Sequence, residues 1–139
     1  MSDLGAFMSK IKEFGMKISE IEMTKSNSGA EYFVLKGLMP LIEKNAAHLH
    51  MIVEICPYGI RKSGAHGLDL LALLEQTGLV FFIIDHIQHG LIATNSDKLA
   101  DWIKSLDETP ENEGFINVLL APKGSISADT FRLIEQSFL

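Results

Sequence analysis

The side chains able to do chemistry are few, and they fall in four places. Glu54 interrupts the apolar stretch Leu49 to Cys56 just ahead of Pro57. Acids do not sit in apolar strands without a partner. Glu54 therefore either lines a pocket at the strand's C-terminal end, where open α/β sheets bind ligands, or forms an ion pair with Arg61 or a lysine. Cys56 could act as a nucleophile, but no base lies beside it in sequence, and a lone cysteine reads as a buried hydrophobe. His48 and His50 fall on one face of a strand, and His86 and His89 flank a turn. Alternating imidazoles can chelate zinc. No cysteine, acid-rich loop or H-E-x-x-H spacing accompanies them, so strand-end and turn histidines are the preferred reading. Ser63-Gly64-Ala65-His66-Gly67 has the small residues of a phosphate-binding loop without its Gly-Lys-[Ser/Thr] ending. Met8, Met16, Met23, Met39 and Met51 read as core filler.

The elements that must position these groups follow from hydrophobic periodicity. Leu4, Phe7, Met8, Ile11 and Phe14 predict an amphipathic helix over residues 4–15, closed by Gly15. Ile18 to Thr24 alternates in part and reads as a strand; Lys25 to Gly29 is turn chemistry. A helix is expected from Ala30 to about Lys44, burying Phe33, Val34, Gly37, Leu38, Leu41 and Ile42, with a kink or break at Pro40. Leu49 to Cys56 suits a strand covered on both faces, and a glycine-rich loop (Gly59, Gly64, Gly67) follows it. Leu68 to Gln76 is helical and stopped by Gly78. Leu79 to Asp85 is a second buried strand, with Leu91 to Thr94 folding back on it as a hairpin. Ser96 caps a helix through Leu106 that buries Leu99, Trp102, Ile103 and Leu106. After an acidic loop from Thr109 to Gly114, Phe115 to Leu120 is the last strand, and Ser127 caps a terminal helix to about Phe138. This alternation implies an α/β layered fold with a mostly parallel sheet.

Bulk composition narrows the function classes. The 139 residues suit one domain, and 47% hydrophobic with 22% charged residues supplies a core without a signature of disorder. A net charge of −6 with scattered lysines and arginines argues against nucleic-acid binding. The single cysteine excludes an intramolecular disulfide. Met1 to Lys12 has no signal-peptide core, and the apolar run Leu79 to Ile84 is far short of the ~20 residues that span a bilayer. A soluble cytoplasmic protein without membrane partners is expected.

Two stretches carry a family resemblance. Met23-Thr-Lys-Ser-Asn-Ser-Gly-Ala-Glu-Tyr-Phe-Val-Leu-Lys-Gly37 resembles a strand-turn-helix of the FkbM methyltransferases, matching at Gly29, Ala30, Glu31, Val34, Leu35 and Gly37. Met51-Ile-Val-Glu-Ile-Cys-Pro57 is similar to the next strand of that family, where a Glu precedes a Pro. Phe82-Ile-Ile-Asp85 and Gly114-Phe-Ile-Asn-Val-Leu119 look like its closing strands. The match covers residues 4–122, the C-terminal half of such an enzyme, with 123–139 as a terminal helix.

The resemblance implies a partial class I (Rossmann-like) three-layer sandwich: a mostly parallel sheet of four to five strands with helices on both faces. It implies descent from O-methyltransferases that use S-adenosylmethionine on hydroxyl acceptors. The donor-binding half, with its Gly-rich turn after the first strand, has no counterpart here, so no cofactor is expected in this chain. Glu31 and Glu54 are the candidate catalytic residues on the resemblance, lining an acceptor pocket. For Glu31 the simpler role is a first-turn acid favoured by a helix N-terminus. Ser26 stands at the family's acidic position and has neither its charge nor a useful pKa. Catalysis by this chain alone is therefore not expected. The alternative is an inactive binding module. In the family's topology one side of the strand Ile18–Thr24 would be unpaired, and such edges are normally covered. A second copy or a protein partner is expected there.

Overall fold

The computed structural model describes residues 16–17 and 31–135. The expected helix over residues 4–15, the strand Ile18–Thr24 with its open edge, and Ser26 lie outside the described residues. The described elements are β1 (Met16–Lys17), α1 (Glu31–Asn45), β2 (Met51–Ile55), α2 (Pro57–Lys62), α3 (Gly67–Gln76), β3 (Val80–Asp85), β4 (Gly90–Thr94), α4 (Ser96–Asp107) and β5 (Ile116–Ala121).

They build one five-stranded sheet in the order β1-β2-β5-β3-β4. Only β1 and β2 pair in parallel; the β2–β5, β5–β3 and β3–β4 ladders are all antiparallel. The mostly parallel Rossmann-like sheet expected from the sequence is therefore wrong. The physical reason is where the last strand goes. Both β2 and β3 run opposite to β5, so they run in the same direction as each other, as a strand-helix-strand crossover requires. They are not neighbours, because β5 returns between them and replaces one parallel contact with two antiparallel ones. Helix-strand alternation reveals direction through the crossover and is silent on insertion.

Strand alternation then sorts side chains onto two faces. Met51, Val53, Ile55, Phe81, Ile83, Ile92, Val118 and Leu120 face the helices, meeting Leu35, Met39, Ile42, Leu70, Leu74, Leu99, Trp102 and Ile103 in the main core. Burying each large apolar side chain contributes about 1.5–3 kcal/mol. Ile52, Ile84, Leu91 and Leu119 occupy the other face, under Phe131 and Ile126. Among the described residues all four helices supply the first face and none the second, unlike the expected sandwich with helices on both faces.

Several local predictions hold and several need correction. β3 and β4 form the expected hairpin, closed by Ile87 and Gln88 donating their backbone N–H groups to the Asp85 carboxylate, both at 2.9 Å. Gly78 ends α3 with φ +73°, a conformation open to glycine. Just before it, Thr77 donates its hydroxyl to Leu74 O and accepts from Leu79 N–H. The N-cap of α4 is Asn95, one residue before the expected Ser96, and its side chain accepts from Lys98 N–H at 2.9 Å. α1 passes through Pro40 unbroken. Pro40 and Lys36 both lie on the exposed side, so the carbonyl that proline leaves unbonded faces water. The buried stripe of α1 is Glu31, Leu35, Met39 and Ile42, and Phe33 and Leu41 are exposed. The expected stripe holds at Ile42 and, in part, at Val34 and Leu38, which pack against the core; it fails at Phe33 and Leu41 and misses Leu35 and Met39, because the sequence offers apolar residues on nearly every side. Residues 57–62 are a short helix where a loop was expected.

No helix forms over the described part of the expected terminal helix. Ser127 starts a single turn, after which Leu91 donates to Arg132 O and accepts from Ile134 N–H, each at 2.8 Å. Residues 132–134 thereby lie beside β4 in parallel and cover part of its edge. Among the described residues no helix is long and apolar enough to cross a membrane.

Candidate functional site

The sequence-predicted groups converge on one end of the sheet, where β2 and β3 finish and β5 begins. Glu54 is on β2, and antiparallel register sets it directly opposite Asn117 of β5. Both side chains leave the face that carries no helices among the described residues. Phe115, one residue ahead of β5, is 56% exposed. The Asn117 amide nitrogen lies 3.4 Å from His86 Nε2, on the β3 side. The other polar atom of that side chain is its amide oxygen. That oxygen is shielded from solvent and has no hydrogen-bond donor, a deficit of about 1–3 kcal/mol. Asn117 was not among the expected site residues; its only signal was a polar residue at an inward register within Phe-Ile-Asn-Val-Leu.

Glu54 does not pair with Arg61. Arg61 instead forms its ion pair with Asp107 at the end of α4 and donates to Pro110 O at 2.9 Å, tying α2 to the chain leaving α4. Among the described residues Glu54 has neither a hydrogen bond nor an ion pair, and it is half-buried. The other candidate acid, Glu31, is wholly buried at the start of α1, at 0% exposure. It is inaccessible to an acceptor substrate in this arrangement.

Cys56 follows β2 and occupies the N-cap of α2. Its thiol donates to Glu113 O at 3.8 Å. Burial pushes the Cys56 pKa up from 9.0; the backbone at Gly59 counteracts this, and the charges of Glu54, Glu31 and Glu113 add to the rise. At neutral pH it is a protonated thiol, and the thiol is not the nucleophile.

The histidines do not assemble. His48 is exposed in the turn after α1, His50 precedes β2, and His86 to His89 form the β3–β4 turn, with His89 at φ 55°. Among the described residues no three His, Cys, Asp or Glu side chains are placed to hold a metal ion. At the opposite end of the sheet Glu75, Gly78, Leu79, Val80, Phe81, Thr94, Asn95 and Ser96 line an open cleft of about 290 Å³. None of the expected site residues reaches it.

The arrangement at Glu54 is suited to recognition. Glu54 has no partner among the described residues, while the Cys56 thiol, the Asn117 oxygen and the Glu31 carboxyl are withdrawn from solvent. Comparison with family models, with curated proteins and with solved structures finds no match for this chain.

Proposed function

We propose that this chain is a non-catalytic binding module that acts through a protein partner, docked at the β2–β5 end of the sheet near Glu54 and Phe115. The observation that carries the reading is the half-exposed Phe115 ring just ahead of β5, at the sheet end where the Glu54 carboxylate has no partner among the described residues. A soluble protein normally covers or pairs such groups. Methyl transfer from S-adenosylmethionine was implied by the motif resemblance alone; the largely antiparallel sheet is not the fold that resemblance implies, and the withdrawn Glu31 and protonated Cys56 offer no general base for it.

The test is site-specific photocrosslinking in the source cells with Phe115→benzoylphenylalanine in the full chain. A discrete adduct with a second protein supports the reading, and an adduct with a second copy supports its self-associating form. Absence of any adduct at Phe115, or stoichiometric heat on titrating S-adenosylmethionine into the chain, overturns it.

A further inference from the structure

β4 is the last strand of the sheet, so one side of its backbone faces outward. Edges of this kind invite a further strand, and proteins blunt them with charge, proline or a bulge. β4 has none of these: it reads Gly90-Leu-Ile-Ala-Thr94, and its register with β3 is unbroken. What lies on its outer side among the described residues is the segment after Ser127, fastened as a clip. Phe131 enters the helix-free face at 2% exposure, in one cluster with Ile84 and Leu91. Ile134 packs against the main core on the other face, its side chain close over Gly90. Between them the backbone of Leu91 donates to Arg132 O and accepts from Ile134 N–H. The clip makes one bridge, Leu91 to Leu133, and Ile134 and Glu135 do not lengthen it. Alternation makes Ala93 the next outward-facing residue of β4, and Ala93 is exposed. The clip thus holds one rung of the edge and does not reach the next.

We infer that this clip is a removable mask, and that its release turns the β4 edge into an interface for β4 of a second copy. One bridge and one buried ring open at lower cost than β5, which is paired along both its sides. The occupant that fits the uncovered edge is the same strand. β4 has no charge to repel its own copy. Two antiparallel β4 strands about a twofold axis exchange the N–H and C=O groups of Leu91 and Ala93 in both directions, and the two sheets run on as one. The inference is independent of the binding-module reading, because neither Glu54 nor Phe115 is part of the β4 edge.

The experiment reads amide hydrogen exchange and sedimentation velocity on the full chain. In the parent, the amides of Leu91 and Ile134 should exchange at matching rates, at least about tenfold faster than the Val118 amide in the middle of the sheet. Ile134→Pro removes the donor to Leu91 and leaves β4 untouched, and Gly90→Ala releases the clip from the other side. Either variant should raise the dimer fraction above that of the parent as concentration increases. In the Gly90→Ala dimer, Leu91 and Ala93 should gain protection while Ile134 stays open, and adding Ala93→Lys should return the parent's mass. Urea well below the unfolding midpoint should open the clip of the parent first and produce the same dimer, so the test does not depend on either variant folding. Exchange at Leu91 and Ile134 as slow as at Val118, or folded variants and urea-treated parent that sediment as the untreated parent does, would overturn the inference. So would a dimer that survives Ala93→Lys, or one that protects Ile134 together with Leu91, the mark of clips exchanged between copies.

Discussion

A Cβ placed on Gly90 would lie 2.7 Å from the carbonyl oxygen of Arg132. This is the oxygen to which Leu91 donates, so the chain after Ser127 can lie against β4 only because position 90 has no side chain. Gly90→Ala should separate the two segments, lower stability by about 1–3 kcal/mol and accelerate hydrogen exchange at Leu91 and Ile134. Urea unfolding and exchange rates indistinguishable from the parent would show that the contact contributes nothing.

The stripe of α1 makes a paired prediction. Leu35 is fully buried and Leu41 is exposed. Leu35→Ala should therefore destabilise the protein by about 2–5 kcal/mol, and Leu41→Lys should change stability by no more than about 0.5 kcal/mol. If the two substitutions exchanged magnitudes in denaturant titrations, the stripe read from sequence periodicity would be correct after all.

Cys56 gives a pH dependence with a definite sign. Its folded pKa is raised above the ordinary 9.0, chiefly by burial. The folded state thus holds the proton more tightly than the unfolded chain does. The associated stability is fully present below the unfolded pKa and is lost as pH rises through the folded one. Urea midpoints should fall in the parent as pH rises past the ordinary thiol pKa of 9.0, and Cys56→Ala should flatten that fall. Alkylation by iodoacetamide at neutral pH should be slow until denaturant is added. Fast alkylation of the folded chain would contradict the protonated, buried thiol.

Arg61 and Asp107 are each partly exposed, at 23% and 33%. Their coupling in a double-mutant cycle should be only about 0.2–1 kcal/mol and should shrink in high salt. The larger effect of Arg61→Ala should be local: α2 and the chain near Pro110 lose their tie and exchange amide hydrogens faster. A coupling of several kcal/mol would show that the pair is far more desolvated than its exposure indicates.

Much of the local structure was legible in the sequence because local physics decides it. The Leu68–Gln76 helix with its glycine stop, the hairpin at Asp85–Gly90 and the Leu99–Trp102–Ile103 face each follow from periodicity and turn chemistry within about a dozen residues. The sheet order was not legible, because nothing in Phe115–Leu120 states that it lies between β2 and β3. The α1 stripe failed in part because Phe33, Gly37 and Leu41 satisfy the helical period as well as Leu35 and Met39 do. Glu54 was visible as an acid in an apolar strand. Its pairing opposite Asn117, 63 positions away, exists only through register.

The placement of β5 has a consequence for synthesis. Until residues 116–121 have left the ribosome, β2 and β3 have no strand to bridge them, and the apolar rows of Val53 and Ile83 await Val118 between them. The nascent chain emerges N-terminus first, at about 5–20 residues per second, and cannot complete its sheet stepwise as it appears. It carries two unjoined halves until nearly the last strand arrives, and then closes them in one event. Stalled chains ending near Gly114 should therefore be held by chaperones or aggregate, whereas chains released past Ala121 should resist protease. The middle of the sheet is the last part to be made.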